Sequence, residues 1–170
     1  MRNLSEEEFD RKYQEYKPLI YKISYMYVKN QSDADDITQN VFIKYLTSDK
    51  TFNDDNHEKY WLIRVTINEA KNFVSATWKK QVVLDNDYID RVSSNDQKTE
   101  QNSYFEVISS LDSKYKDVIT LYYYEDFSVE EIADILKVSP SCVKKRLERA
   151  REKIKKEIKN GWFWKENKRI

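Results

Sequence analysis

Between Tyr60 and Lys80 the chain interleaves rings with cations: Tyr60, Trp61, Phe73 and Trp78 alternate with Arg64, Lys71, Lys79 and Lys80. Glu69 is the only acid of that stretch. Unpaired bases stack on rings at roughly 1–3 kcal/mol each while cations follow the phosphates, so the pattern suits a single-stranded nucleic acid. The alternative is that the rings are core and the cations merely solvate the other face. A second group lies near the C-terminus. On a helical wheel Ser141, Lys145, Glu148 and Arg149, with Lys144 on the shoulder, oppose an apolar side of Val143, Leu147, Ala150, Ile154 and Ile158. Asp33, Asp35 and Asp36 are the sole clustered carboxylates that could serve a metal or a general base, and their place at a helix start suits capping better. One Cys and one His cannot build a structural zinc site or a disulfide framework, so no metal or cofactor is expected.

These groups need elements to hold them. The 170 residues include one Gly and two Pro, which argues against a β-rich fold, a dinucleotide fingerprint and a P-loop. An all-α fold of two small helical domains is expected, with domains at 1–81 and 104–160, a flexible linker at 82–103 and a tail at 161–170. The linker assignment rests on its Asp, Asn, Ser and Gln content. In the first domain Ser5 and Glu8 have capping-box spacing, and Phe9, Tyr13 and Tyr16 follow at helical intervals. Pro18 either kinks that helix or opens the next, which carries Leu19, Ile23, Met26 and Tyr27. Ser32 is the expected cap of a further helix, with Asp33, Asp35 and Asp36 in its first turn and Ile37, Val41, Phe42 and Tyr45 inside. After a loop from Ser48 to Asn56, a helix from about His57 to Lys80 carries the ring and cation pattern.

In the second domain Ser128 and Glu131 open a short helix containing Ile132, Ile135 and Leu136. A turn of Lys137, Val138 and Ser139 follows, then Pro140 as the first residue of a longer helix that Gly161 is placed to end. The pattern fits a helix-turn-helix, whose second helix would enter the major groove of DNA, against the alternative of an ordinary helical hairpin. Charge agrees. The chain carries 30 basic and 30 acidic residues, yet residues 139–170 hold 12 basic against 4 acidic, while 104–138 hold 3 against 8. A segregated field of this kind steers a polyanion to one element.

The residues together resemble bacterial RNA polymerase sigma factors of the extracytoplasmic-function group. Asp33 to Phe42 (DADDITQNVF) is similar to the acidic helix of sigma region two, and Tyr60 to Phe73 (YWLIRVTINEAKNF) to its promoter-melting helix. Phe127 to Leu136 (FSVEEIADIL) and Val143 to Arg151 (VKKRLERAR) are similar to region four. The resemblance implies a promoter-specificity subunit without catalytic activity. Its partners would be core RNA polymerase, promoter DNA as duplex and as unwound non-template strand, and an anti-sigma factor. Polymerase docking would fall to Asp35, Asp36, Gln39 and Phe42. Melting of the −10 element would involve Trp61, Arg64, Asn68, Lys71 and Asn72, an asparagine amide matching the edge of an unpaired base, with the loop from Phe52 to His57 closing over a flipped base. The −35 element would be read by Ser141, Lys144, Lys145, Glu148 and Arg149, with Arg146 on the backbone. Glu148 would accept from a cytosine amino group or pair with Lys144 or Lys145. Two departures stand out: Ser75 where many members have arginine, and Lys137 where many have glycine in the turn.

Two other classes compete. A helix-turn-helix regulator working without polymerase would leave the aromatic, basic helix and the acidic helix without a role. A nuclease would depend on the three aspartates. The acidic start, Leu4 to Phe9, is unlike a signal peptide, and no window reaches the ~20 apolar residues of a membrane span. A cytoplasmic protein with no membrane insertion is therefore expected.

Overall fold

The computed structural model describes residues 2–84 and 100–158. Among them are seven α-helices, one π-helical turn and no strand. The helices are α1 (Glu6–Val28), α2 (Gln31–Thr47), α3 (Asp55–Leu84), α4 (Glu100–Ser110), α5 (Ser113–Ile119), α6 (Val129–Leu136) and α7 (Pro140–Glu157). They fall into two units, Met1–Asn95 and Asp96–Ile170. Residues 85–99 of the expected linker, the tail and Gly161 lie outside the described residues, while both edges of that linker are helical.

In the first unit α1, α2 and α3 pack on one another. The Ser5 hydroxyl caps α1 by accepting from the Glu8 backbone N–H at 3.2 Å. Pro18 neither ends the helix nor opens another: α1 runs through it for 23 residues. Pro18 and Gln14 are both exposed, so water can meet the Gln14 carbonyl that loses its partner. Lys29 turns the chain with φ 59°, its N–H bonded to the Tyr25 carbonyl. The cap of α2 is Asn30, not Ser32. Its Oδ1 accepts from the Asp33 N–H at 2.9 Å, and its Nδ2 donates to the Asp33 carboxylate at 2.8 Å. This shift leaves Asp33 alone in the first turn and moves Asp35 and Asp36 to the next. The Asn30 amide does both jobs at once, its carbonyl oxygen accepting and its NH2 donating. Ile20, Ile23, Ala34, Ile37, Val41, Leu62, Ile63 and Ala70 fill the space between the helices.

One polar cluster is buried in this core. Glu58 accepts from Lys12 Nζ at 2.6 Å, Tyr45 OH at 2.6 Å, Arg2 at 3.1 Å and Tyr16 OH at 3.3 Å. Burial alone would raise the Glu58 carboxyl, but the hydrogen bonds from Lys12, Tyr45 and Arg2 hold it below the ordinary carboxylate range. Burial would lower Lys12, and its bonds to Glu58 and Asp55 outweigh that and raise it. Burial and the Glu58 charge push Tyr16 up to about 12.

In the second unit α5 and α6 both pack on α7. The buried side of α7 is Val143, Leu147, Ala150 and Ile154, as its periodicity predicts, whereas Ile158 is only half-buried at the helix end. α5 runs into a π-helical turn, Thr120–Tyr124, closed by the Glu125 N–H on the Thr120 carbonyl at 3.2 Å. Sequence periodicity does not reveal this turn. The wider turn aims Tyr123 at α7, where its hydroxyl accepts from Arg151 Nε at 2.8 Å.

Candidate nucleic-acid interface

The helix-turn-helix is α6, Lys137–Val138–Ser139 and α7. A reciprocal capping box starts α6: Ser128 Oγ accepts from the Glu131 N–H, and the Glu131 carboxylate accepts from the Ser128 N–H at 2.7 Å. Lys137 ends it with φ 57° and ψ 44°, its N–H on the Ala133 carbonyl. A lysine thus takes the left-handed conformation that glycine adopts without a Cβ penalty. Ser139 caps α7 through the Cys142 N–H at 3.1 Å, with Pro140 in the first turn.

Ser141, Lys144, Lys145, Glu148 and Arg149 are all exposed on α7. Among the described residues Glu148 forms no ion pair with Lys144 or Lys145, so its carboxylate is open to a base edge. Arg146 differs from its neighbours in being half-buried, with its charge acting on Asp117 of α5. Asp117 is only 3% exposed. Burial pushes its carboxyl up to about 8, against the pull of Arg146. Lys145, Arg146 and Arg149 line one open cleft together with Lys114 and Tyr115 from α5, a space of about 410 Å³. Lys114 is a cation that sequence reasoning missed, because it sits in the segment with 8 acids against 3 bases and before the motif begins.

On α3 the expected melting residues share one stripe. Asn68 and Asn72 are exposed and their amides make no hydrogen bond among the described residues, whereas Arg64 and Lys71 are half-buried. Ser75 and Lys79 continue the stripe, both exposed. Trp61 is not a free platform. Its ring lies 5.5 Å from Phe52 and 6.5 Å from Tyr45, so it braces the loop before α3. The ring open to solvent is Trp78, 68% exposed. Lys44 of α2 pairs with Glu69, neutralising the one acid of the stretch.

On α2 the expected docking residues separate. Asp36 and Gln39 are exposed and Asp35 half-buried, but Phe42 is 3% exposed. Its ring packs 4.6 Å from Tyr13, 6.1 Å from Phe9 and 6.5 Å from Tyr45, so it joins α2 to α1 rather than standing on the exposed face. The apolar residue on the outer face is its neighbour Ile43, 56% exposed and one helical turn beyond Gln39 and Asn40. Sequence periodicity puts 42 and 43 on adjacent faces, and only the packing of α1 decides which is inward.

No helix among the described residues is long and apolar enough to cross a membrane, and no described group of three or more His, Cys, Asp or Glu is arranged to hold a metal.

Comparison with known proteins bears on this arrangement. Sigma-70 region 2 matches residues 13–80, and Sigma-70, region 4 matches residues 102–154. RNA polymerase sigma factor SigV of Bacillus subtilis (strain 168) is 33% identical over 137 residues, 80% of this chain and 82% of the relative. The ECF RNA polymerase sigma-E factor of Haemophilus influenzae is 30% identical over 144 residues, 76% of each chain. Among solved structures, the sigma factor RpoE of Bartonella quintana, crystallised with the anti-sigma factor NepR, superposes with a TM-score of 0.72 at 18% identity, covering 90% of this chain and 98% of that one. The chain belongs to the sigma-70 family, in its extracytoplasmic-function group. As such it is a promoter-specificity subunit of RNA polymerase and not an enzyme.

Proposed function

We propose that the α2 face of Asp36, Gln39 and Ile43, with Asp35 beside it, docks on core RNA polymerase. On this reading the α3 stripe of Arg64, Asn68, Lys71 and Asn72 captures the unwound non-template strand of the −10 element, above Trp61 and the loop that Trp61 supports. The α7 face of Ser141, Lys144, Lys145, Glu148 and Arg149 reads the −35 duplex, with Arg146 and Lys114 on phosphates. Residues 1–81 and 104–160 are then the working domains, 82–103 tethers them, and the protein acts in the cytoplasm. The observation that carries the reading is a division of sides. In each unit one helix buries its apolar side and leaves a side of cations and amides in water, with Asn68 and Asn72 exposed on α3 and five α7 residues exposed in the other unit.

An anti-sigma factor is a further partner on this reading, since the similar Bartonella sigma factor was crystallised with one. Exposed Val74 and Trp78, beside Tyr27 and Phe73 in a groove of about 200 Å³, supply an apolar surface for it.

Run-off transcription with purified core polymerase and a promoter library tests the reading. Transcripts from a subset of promoters are expected. Ile43→Asp should weaken co-purification with core polymerase by roughly tenfold or more, because a buried charge replaces an apolar anchor, while binding to −35 duplex stays unchanged. Duplex binding without any polymerase association would instead support a regulator acting on its own.

A further inference from the structure

The segment before α1 is tied to the loop before α3. The Arg2 backbone N–H donates to the Leu46 carbonyl at 2.9 Å, pinning the segment before α1 against the end of α2. Its guanidinium donates to Glu58 at 3.1 Å and lies 4.4 Å from the Tyr45 ring centroid and 4.3 Å from that of Phe52. Phe52 is the apolar tip of the loop, and its ring also meets His57 edge-on at 5.4 Å and Trp61 at 5.5 Å. Arg2, Asn3 and Leu4 then form one wall of a cleft of about 440 Å³ whose other wall is the loop itself, Ser48 to Phe52.

The loop is also held by the His57 and Trp61 rings against Phe52 and by the Asn53 N–H on His57 Nδ1 at 3.3 Å. The Asp54 carboxylate caps α3 through the His57 N–H at 2.7 Å, and Ser48 Oγ accepts from the Lys50 N–H at 3.0 Å. Neither of these two bonds reaches Phe52, and Arg2 is what ties it to the segment before α1. A cation beside two rings in a partly desolvated site is held more firmly than in water, and a planar guanidinium can stack and donate to a carboxylate at once, as an ammonium cannot. Glu58 keeps Lys12, Tyr45 and Tyr16 when Arg2 is removed. Loss of Arg2 therefore removes the tie between Phe52 and the segment before α1 while leaving most of the Glu58 cluster in place.

We infer that Arg2 is a positioning residue for promoter opening: it fixes Phe52 and so presets the loop that receives the unpaired −10 strand. This inference rests on the −10 role proposed above for the loop and α3. The test uses the full chain with core polymerase. Arg2→Ala should slow open-complex formation roughly three- to tenfold, the range expected for one cation–π contact, and speed amide exchange at Thr51 to Asn53. Binding of −35 duplex should not change. Arg2→Lys should restore part of the rate, and in a Phe52→Ala background Arg2→Ala should add little, since both act through one contact. Normal opening and unchanged loop exchange in Arg2→Ala, beside a wild type that opens promoters and an Asn68→Ala variant that does not, would overturn the positioning role of Arg2 alone. A parallel loss of opening and −35 binding, following the loss of folded protein, would overturn it too. A wild type that opens no promoter would overturn the parent reading, while loop exchange would still report whether Arg2 restrains Phe52.

Discussion

Glu58 and Asp117 are buried carboxylates with opposite titration. Glu58 is held below the ordinary range by its donors, so it stabilises the first unit above the unfolded carboxylate pKa and loses that contribution as pH falls through its own lower value. Glu58→Ala would leave the Lys12 ammonium, itself 7% exposed, with Asp55 alone and take the acceptor from Tyr45 and Arg2, and should destabilise that unit by about 3–5 kcal/mol in thermal melts. Asp117, raised to about 8 by burial, behaves the other way. Its folded form keeps a proton that the unfolded chain releases, so stability of α5 and α7 is greatest below the unfolded pKa and falls as pH rises toward 8. Amide exchange in these helices should quicken between pH 5.5 and 8 beyond the intrinsic chemical trend, and Asp117→Asn should remove that excess. A variant with the same excess would refute the assignment. Neither role was legible in the sequence, since nothing in the spacing of Glu58 or Asp117 says that helices distant in the chain will enclose them.

Among the elements, the helix-turn-helix was legible to the residue because its information is local: a capping box, a turn, a serine cap and a proline in the first turn each act within four residues. Lys137 is the exception that tests it. Lys137→Gly should relieve a left-handed side-chain penalty of roughly 1 kcal/mol and raise the melting temperature of the second unit by about 4–8 °C, without altering base preference. A lower melting temperature would mean that the lysine makes a compensating contact. Where sequence reading went astray, the deciding interaction was tertiary or turned on one position. Phe42 and Ile43 are adjacent apolar residues, and α1 alone selects Phe42 for the core. Asn30 displaced Ser32 because both are good caps and the end of α1 at Lys29 fixed where α2 could begin. Of the two alternatives open for Pro18, the one within α1 holds, with Tyr16 and Ile20 buried on the opposite side of the helix.

At the scale of the whole molecule, the proposed function has two helical units each bringing one polar helix face to DNA, the first to an opened strand and the second to a duplex. Composition argued against a dinucleotide fingerprint and a P-loop, and the charge jump at residue 139 pointed to one of the two proposed faces. The other face was harder to read, because a ring on a helix looks the same whether it is braced, as Trp61 is, or open, as Trp78 is. The most direct test is permanganate reactivity of −10 thymines in complexes of core polymerase with the wild-type chain and with the Asn68→Ala/Asn72→Ala variant. The account predicts reactive thymines with the wild type and at least a tenfold loss with the variant, while the −35 footprint persists. Equal reactivity from both proteins would contradict it.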